Sequence, residues 1–479
     1  MSLNCLLLGP AWIFHGRLGP QLFALEAGII LGIFLLLPRR RWSSILAGAT
    51  ATGVVTMGVL GVADTTARLS LARPLNLYLD VHLAGAVANL LDGALGSGWG
   101  PVALAGIGVG AVAAAWGLAR LLMGVRHAGG GRRAWQAGAA LVAASALAIP
   151  LRWAHPRGVI LALPSVQLVR EQAAQLQRML GERERFALEM ARTPAEYGPR
   201  PGLFRGLGGR DVILAFIESY GVSALDDPRY GPVVRPRLEA MEAVLARRGI
   251  HLATGRLDAP SQGGMSWLGH GSVLSGLWLE NQMRYDLLMA SDRPTLVDDF
   301  RAAGYRTAAI MPAITLAWPE GERLGYDEIW DHKDIPYRGP PLNWVTMPDQ
   351  FTWSFLEHGV RIRDDGRPLF AELGHISSHA PWTPILDVVE EWERIGDGAL
   401  FGAWENAGAT PEELWRDTDR VREHYALAVG YALDVLASYA ARYLDGSTLL
   451  IAMGDHQPAP LITGEDARRA VPVHVLATD

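Results

Sequence analysis

Three short apolar runs of the 479-residue chain end in side chains that could hold a divalent cation. Glu218 follows the run 212–217 in FIESYG. Asp455 and His456 follow 448–453 in AMGDHQP, and His375 and His379 follow 369–373 in GHISSHAPW. A carboxylate and an Asp-His pair brought to one place make a mixed oxygen and nitrogen site of the kind that suits zinc or manganese. Each residue also has a plainer reading. Glu218 would cap a turn, Asp455 would cap a helix, and either histidine would be an exposed loop residue. Their shared position at the ends of apolar runs favours the site.

The segment APSQGGMSWLGHGSVLSGLW (259–278) supplies a hydroxyl. Gly263 and Gly264 permit a tight turn, after which Ser266 opens a helix running through Val273 and Leu277. A helix N-terminus directs backbone N–H groups and a positive dipole end at an anion such as phosphate or sulfate. Beside a bound cation, a hydroxyl there would be activated for attack. Serine is also a good N-cap, so both roles stay open for Ser266.

These residues need a scaffold, and the pattern after Asp211 is that of an α/β domain. The runs 212–217, 307–311, 369–373, 448–453 and 473–477 read as strands buried on both faces. Helical patterns at 234–248, 295–303 and 420–443 lie between them. The alternation predicts a mostly parallel sheet covered by helices on both faces, an α/β/α sandwich. In such sheets ligands bind beyond the carboxyl ends of the strands, where the polar residues above stand. His474, inside the last run, reads as a core or edge histidine.

The front of the chain has different chemistry. Residues 1–160 carry four acidic side chains, Glu26, Asp64, Asp80 and Asp92, against twelve arginines, while the rest holds 45 acids against 31 bases. A front of +8 and a back of −14 thus compose the net −6. A nucleic-acid binder would need its basic surface on the soluble part, so that class is excluded. The 42 arginines against a single lysine, Lys333, read as coding bias, and the lone cysteine, Cys5, rules out a disulfide framework within the chain.

Four segments, 19–37, 43–62, 101–122 and 134–151, approach the length of a membrane span. The stretch 75–95 is apolar but carries Asp80, His82 and Asp92, and reads as an interfacial or re-entrant helix rather than a fifth span. Arg39, Arg40 and Arg41, and then Arg126, Arg132 and Arg133, mark cytoplasmic loops, which puts everything after about Arg152 outside. The expected organisation is a transmembrane domain over 1–160 with four to five helices. A linker over 161–205 follows, with an amphipathic helix at 165–189, bounded by Pro194, Gly198, Pro199, Pro201 and Gly202. The catalytic domain is 206–479.

FIESYG, QGGMSW, HISSHAPW and GDHQP, in this order, resemble the sulfatase-type catalytic domain of lipoteichoic acid synthases and of membrane phosphoethanolamine transferases, over about residues 210–479. GYRTAAIMPA, LGYDEIWDHKDIPYRGPP and MPDQF are similar to the same group, and apolar spans before the domain match its layout. The resemblance implies an alkaline phosphatase-like α/β/α sandwich behind an α-helical transmembrane domain. It implies Glu218, Asp455 and His456 as metal ligands, Ser266 as both ligand and nucleophile, and one divalent ion, manganese or zinc, with magnesium also admissible. His379 would act beside the substrate phosphate as an electrophilic or acid/base partner, with His375 and Trp382 on the substrate side.

The chain departs from that pattern in three ways. The transferases generally use threonine as nucleophile, whereas this chain reads Gly264-Met265-Ser266, and a register slip of one would put a methionine there. Formylglycine sulfatases need Cys or Ser followed by x-Pro-x-Arg, but Trp267, Leu268, Gly269 and His270 follow Ser266. Relatives continue past VPVHVLATD, so the C-terminus is either short or the sequence is a fragment. The expectation is a multi-pass protein of the plasma (inner) membrane with an extracytoplasmic catalytic domain. It would be a metal-dependent phosphotransferase or phosphodiester hydrolase acting on phosphoglycerol- or phosphoethanolamine-type head groups, with membrane lipids and a phospholipid or envelope-glycan substrate as partners. The alternatives are a sulfuric ester hydrolase and a non-catalytic membrane sensor of the same fold.

Overall fold

The computed structural model describes residues 1–14, 21–38, 40–81, 85, 87, 88, 91, 98–128, 131–154, 160–191, 202–363 and 365–478. The chain forms two compact units, Met1–Leu69 with Arg73–Glu182, and Ser70–Ala72 with Arg183–Asp479.

The first unit is helical: α1 Ser2–Phe14, α2 Leu25–Leu36, α3 Trp42–Leu71, α4 Trp99–Ala128, α5 Arg132–Ala154 and the start of α6 Pro164–Ala191. Among the described residues, α3, α4 and α5 are long and apolar enough to cross a membrane. The span expected at 19–37 is corrected. Its helix is only the 12-residue α2, about 18 Å at 1.5 Å per residue and short of the roughly 30 Å hydrocarbon core. Pro38 explains one end. It pushes Leu37 into extended conformation (φ −66°, ψ 134°), which stops the helix. At the other end Phe23 and Ala24 are extended and pair with Leu161 and Ala162.

Helix α2 packs on α5 through small residues. A Cβ on Gly32 would lie 2.8 Å from the Gly138 carbonyl oxygen, and one on Gly138 would lie 2.9 Å from that of Gly32. Such close backbone approach is how helices associate where no hydrophobic drive separates them from lipid. Helix α4 leaves Trp99, Ile107, Val109, Val112 and Trp116 exposed, apolar surface suited to a lipid environment.

Of the ambiguous stretch 75–95, a short helix at Leu77–Asp80 is capped by Asn76, whose Oδ1 accepts from the Tyr78 and Leu79 N–H groups. Asp80 pairs internally with Arg73 at 2.6 Å. His82 and Asp92, and with them the question of a fifth span, lie outside the described residues, as do Arg39 and the boundary residues Pro194, Gly198, Pro199 and Pro201. The amphipathic pattern at 165–189 is helical throughout, with Val166, Val169, Leu176 and Leu180 exposed.

The second unit holds a seven-stranded sheet. Its strands are β1 Asp211–Ile217, β2 Ile250–Asp258, β3 Arg306–Met311, β4 Glu328–Asp331, β5 Leu369–His375, β6 Thr448–Gly454 and β7 Ala470–Thr478. The spatial order is β2-β7-β6-β1-β5-β3-β4. Strands β6, β1, β5, β3 and β4 run parallel, while β7 and β2 add antiparallel at one side.

Side chains of β1 alternate between two cores, as strand geometry dictates. Ile213, Ala215 and Ile217 pack with Val234, Met241 and Leu245 of α7 (Gly231–Ala246). Val212, Leu214 and Phe216 pack on the opposite face with Leu274 of α8 (Ser266–Ser275) and with Val297 and Phe300 of α9 (Leu296–Ala302). The first face also takes Tyr425, Val429 and Leu433 of α10 (Thr418–Tyr443). The unit is the α/β/α sandwich that the buried runs predict, and its sheet is mostly parallel, with two antiparallel strands at one side.

Candidate active site

The polar residues converge where the central parallel strands end. Glu218 follows β1, and Asp455 and His456 follow its neighbour β6. One ligating atom from each of the three lies within 4.8 Å of the others, and all three are buried. The adjacency follows from register, since Ile217 pairs with Gly454. Gly454 permits the close approach, because a Cβ there would lie 1.9 Å from the Tyr220 carbonyl oxygen.

Every group in the cluster is held by a bond made elsewhere. Asp455 Oδ1 accepts from the N–H of Ser219 at 2.8 Å and of His456 at 2.6 Å. Ser219, at φ 54°, turns its hydroxyl back to donate to Glu218 Oε1 at 2.6 Å. The Ser378 hydroxyl donates to the Glu218 carbonyl at 2.5 Å. His456 donates its Nδ1–H to the Gln457 carbonyl at 2.9 Å. That bond fixes the tautomer and leaves Nε2 with a free lone pair. Nε2 stands 3.4 Å from Glu218 Oε1 and 3.6 Å from Asp455 Oδ2, yet has no hydrogen-bond partner.

A buried nitrogen without a partner, aimed between two buried carboxylates, is the donor set of a divalent-cation site. Electrostatics point the same way. Burial pushes the Asp455 carboxyl above its ordinary range, and the neighbouring Glu218 charge pushes it further. Burial also acts against the charged form of Glu218, but His456, His379 and the Ser219 hydroxyl outweigh it and hold Glu218 low. Burial likewise opposes the charged form of His456, and Asp455 and Glu218 more than offset it. Two ionised carboxylates and a neutral imidazole can share so small and dry a space when a cation joins them. Glu218, Asp455 and His456 therefore fit a metal.

Ser266 is the first residue of α8, and its hydroxyl donates to Glu218 Oε2 at 3.3 Å. Its register is set by the turn before it. Gly263 and Gly264 take φ 75° and 143°, and Met265 takes φ 64°. The Met265 side chain packs with Phe186 and Leu268 in an apolar cluster. Ser266, not Met265, thus meets the Glu218 carboxylate. The same turn is tied to the β6 loop: the Gly263 N–H donates to the Gln457 carbonyl at 2.8 Å, and Gln262 Nε2 donates to the Pro458 carbonyl at 3.2 Å.

The HISSHAPW residues divide. His379 is partly exposed, acts electrostatically on Glu218, and donates its Nδ1–H to the Ala380 carbonyl. His375 is buried in the core instead, stacked on Trp353 at 4.6 Å and 3.8 Å from Asp349, and burial lowers its pKa. Trp382 is also buried. Its indole N–H donates to the Ser378 carbonyl at 2.7 Å, and its ring stacks on Trp415, so it braces the loop. Asp349 anchors that loop by accepting from the Ile376 and Ser377 N–H groups, each at 2.8 Å. His474 is wholly buried between the Tyr220 hydroxyl (3.0 Å) and the Thr254 hydroxyl (2.8 Å), the core position expected for it.

Sequence reasoning missed one pair beside the site. His270, one turn after Ser266, donates its Nδ1–H to the buried Glu372 at 2.8 Å. Glu372 sits inside β5, and a carboxylate within the apolar run LFAELGH was a visible signal.

No family model and no curated protein sequence matches the chain. Among solved structures it is similar to the lipoteichoic acid synthase LtaP from Listeria monocytogenes, at 15% identity and TM-score 0.39, covering 56% of this chain and 65% of that one. The chain thus spans less than two thirds of that relative. It is also similar to the phosphoglycerol transferase GacH from Streptococcus pyogenes, in complex with sn-glycerol-1-phosphate (12% identity, TM-score 0.39, 62% of this chain and 72% of that one). A third is the C-terminal periplasmic domain of EptC from Escherichia coli in complex with zinc (13% identity, TM-score 0.36, 57% of this chain and 73% of that one).

Proposed function

We propose that the chain is a membrane-anchored, metal-dependent phosphotransferase or phosphodiester hydrolase that works through Ser266. One observation carries this reading. A serine hydroxyl at the opening of a helix bonds to one carboxylate of a buried Glu-Asp-His cluster whose imidazole nitrogen is unpaired.

Glu218, Asp455, His456 and the Ser266 oxygen would hold one divalent ion, manganese or zinc. When bound, such an ion supplies Lewis-acid stabilisation of phosphoryl charge and lowers the pKa of a hydroxyl beside it. Ser266 attacks phosphorus in line, and the positive dipole end of α8 lies at the anion. A phosphoseryl-linked intermediate forms, and an acceptor hydroxyl or water then resolves it. His379, whose Nδ1–H is committed to a backbone carbonyl, would as the imidazolium donate its Nε2–H to the leaving oxygen or to the phosphate. The missing x-Pro-x-Arg after Ser266 argues against a formylglycine sulfatase.

The apolar helices α3, α4 and α5 and the placement of the arginines support an anchor in the inner membrane with the catalytic unit outside. That setting favours a lipid-linked phosphoglycerol or phosphoethanolamine head group as donor and membrane lipids as partners. The test uses full-length protein in vesicles of phosphatidylglycerol or phosphatidylethanolamine with manganese or zinc. Diacylglycerol should be released, and chelation or Ser266→Ala should stop it. Faster turnover of an aryl sulfate than of any phosphodiester would contradict the reading.

A further inference from the structure

His270 is the only titratable side chain on α8 besides hydroxyls. It lies four positions after Ser266, so the two share a helix face, and helical side chains lean toward the N-terminus. His270 therefore leans toward Ser266. Its ring stacks on Phe216 at 3.7 Å, and Phe216 is the second-last residue of β1, two positions before Glu218. The backbone beside it abuts the metal-site loop, since a Cβ on Gly269 would lie 2.7 Å from the Asp455 carbonyl oxygen.

The ring has one committed and one open nitrogen. Nδ1–H donates to Glu372 Oε1 at 2.8 Å, and Nε2 has no protein partner among the described residues. The Glu372 side chain is 1% exposed, whereas that of His270 is 17% exposed. Burying a carboxylate inside a central strand is costly unless it is fully hydrogen-bonded. Glu372 achieves this by accepting from His270 on one oxygen and from the Tyr326 hydroxyl on the other. The result is an imidazole locked in one tautomer, with its basic nitrogen left open on a helix face that it shares with Ser266.

Building on Ser266 as nucleophile, we propose that His270, oriented by Glu372, is the base that receives the Ser266 hydroxyl proton. In this structure that proton is directed at Glu218, but Glu218 acting as a metal ligand is no longer a proton acceptor. The base on the same helix face is His270. In the first half-reaction the proton passes from Ser266 Oγ to His270 Nε2, directly or through one water. The Oγ–P bond forms, the bond from phosphorus to the leaving oxygen breaks, and that oxygen takes a proton from water. In the second half the acceptor oxygen bonds to phosphorus and loses its proton to water. The P–Oγ bond breaks, and the His270 proton returns to Oγ. Glu372 is a positioning residue, and the Tyr326 hydroxyl completes its hydrogen bonding.

The test uses the full-length protein in detergent with manganese and bis(4-nitrophenyl) phosphate as probe. His270→Ala should lower kcat by a factor of about 100 to 10 000 with KM unchanged, the range of a lost acid-base group. Added imidazole should restore part of the rate. His270→Asn keeps an N–H for Glu372 but has no second ring nitrogen, so it should melt like the native protein and lose as much kcat as the alanine variant. Glu372→Gln should show a smaller loss in kcat. A His270→Asn protein with native kcat, or a His270→Ala protein that imidazole does not rescue, would make His270 a mere partner of the buried carboxylate and overturn the proposal. Mass spectrometry of the Ser266 peptide separates the two readings. A nitrophenyl phosphate adduct forming as fast in the His270 variants as in the native protein sinks this inference alone, whereas no adduct in the native protein sinks Ser266 as nucleophile and this inference with it.

Discussion

At the scale of single residues, the site works through hydrogen bonds that decide which atom stays free. The Gln457 carbonyl frees Nε2 of His456, and Glu372 frees Nε2 of His270. His474 shows the opposite arrangement, with both nitrogens occupied by hydroxyls. Burial pushes its pKa down to about 4, against an ordinary 6.5. Between those values the unfolded chain binds the proton and the folded chain does not, so stability is retained above pH 6.5 and falls as pH drops toward 4. The loss amounts to at most about 3 kcal/mol. His474→Gln should flatten the fall in melting temperature over that window, and an unchanged slope would show that another group governs it.

Legibility at this scale was uneven. Glu218, Asp455 and His456 stood out because each ends a buried run. Trp382 and His375 did not reveal their burial, because their partners Trp415 and Trp353 come from distant segments. Which of Met265 and Ser266 stands beside Glu218 is set by a left-handed turn that two glycines permit but do not number.

At the scale of elements, strand ends and one helix start must meet within a few ångströms, and small residues set the spacing. Gly269 lets α8 lie against the backbone of Asp455. Gly269→Ala should push the helix away, costing about 1–3 kcal/mol as overpacking does. It should also lower kcat by displacing Ser266 from Glu218. Thermal melting and turnover check both, and a variant with native stability and rate would show that the contact is slack. The central strands were readable because both faces are buried and their sequences are continuous apolar runs. Strand β2 was not, because most of its residues are exposed and HLATGRLD carries little apolar signal. Helix α2 was overextended because hydropathy continues through Leu37, while the backbone restriction imposed by Pro38 ends the helix.

At the scale of the whole molecule, the proposed anchor makes a prediction about orientation, because arginines of the apolar front lie at the loops beside α3 and between α4 and α5. The chain has one cysteine, so Cys5→Ser gives a background for accessibility labelling. Cysteines replacing Arg41 and Arg133 should react only with a membrane-permeant reagent, and one replacing Gly408 should react with an impermeant reagent from outside. The reverse pattern would invert the topology. The chemistry is tested most directly by mass spectrometry of the full-length protein after incubation with isotopically labelled phospholipid and metal. A head-group phosphate mass on the peptide containing Ser266, absent from Ser266→Ala, is the predicted result. Labelling of a different residue, with Ser266 unmodified, would contradict the account.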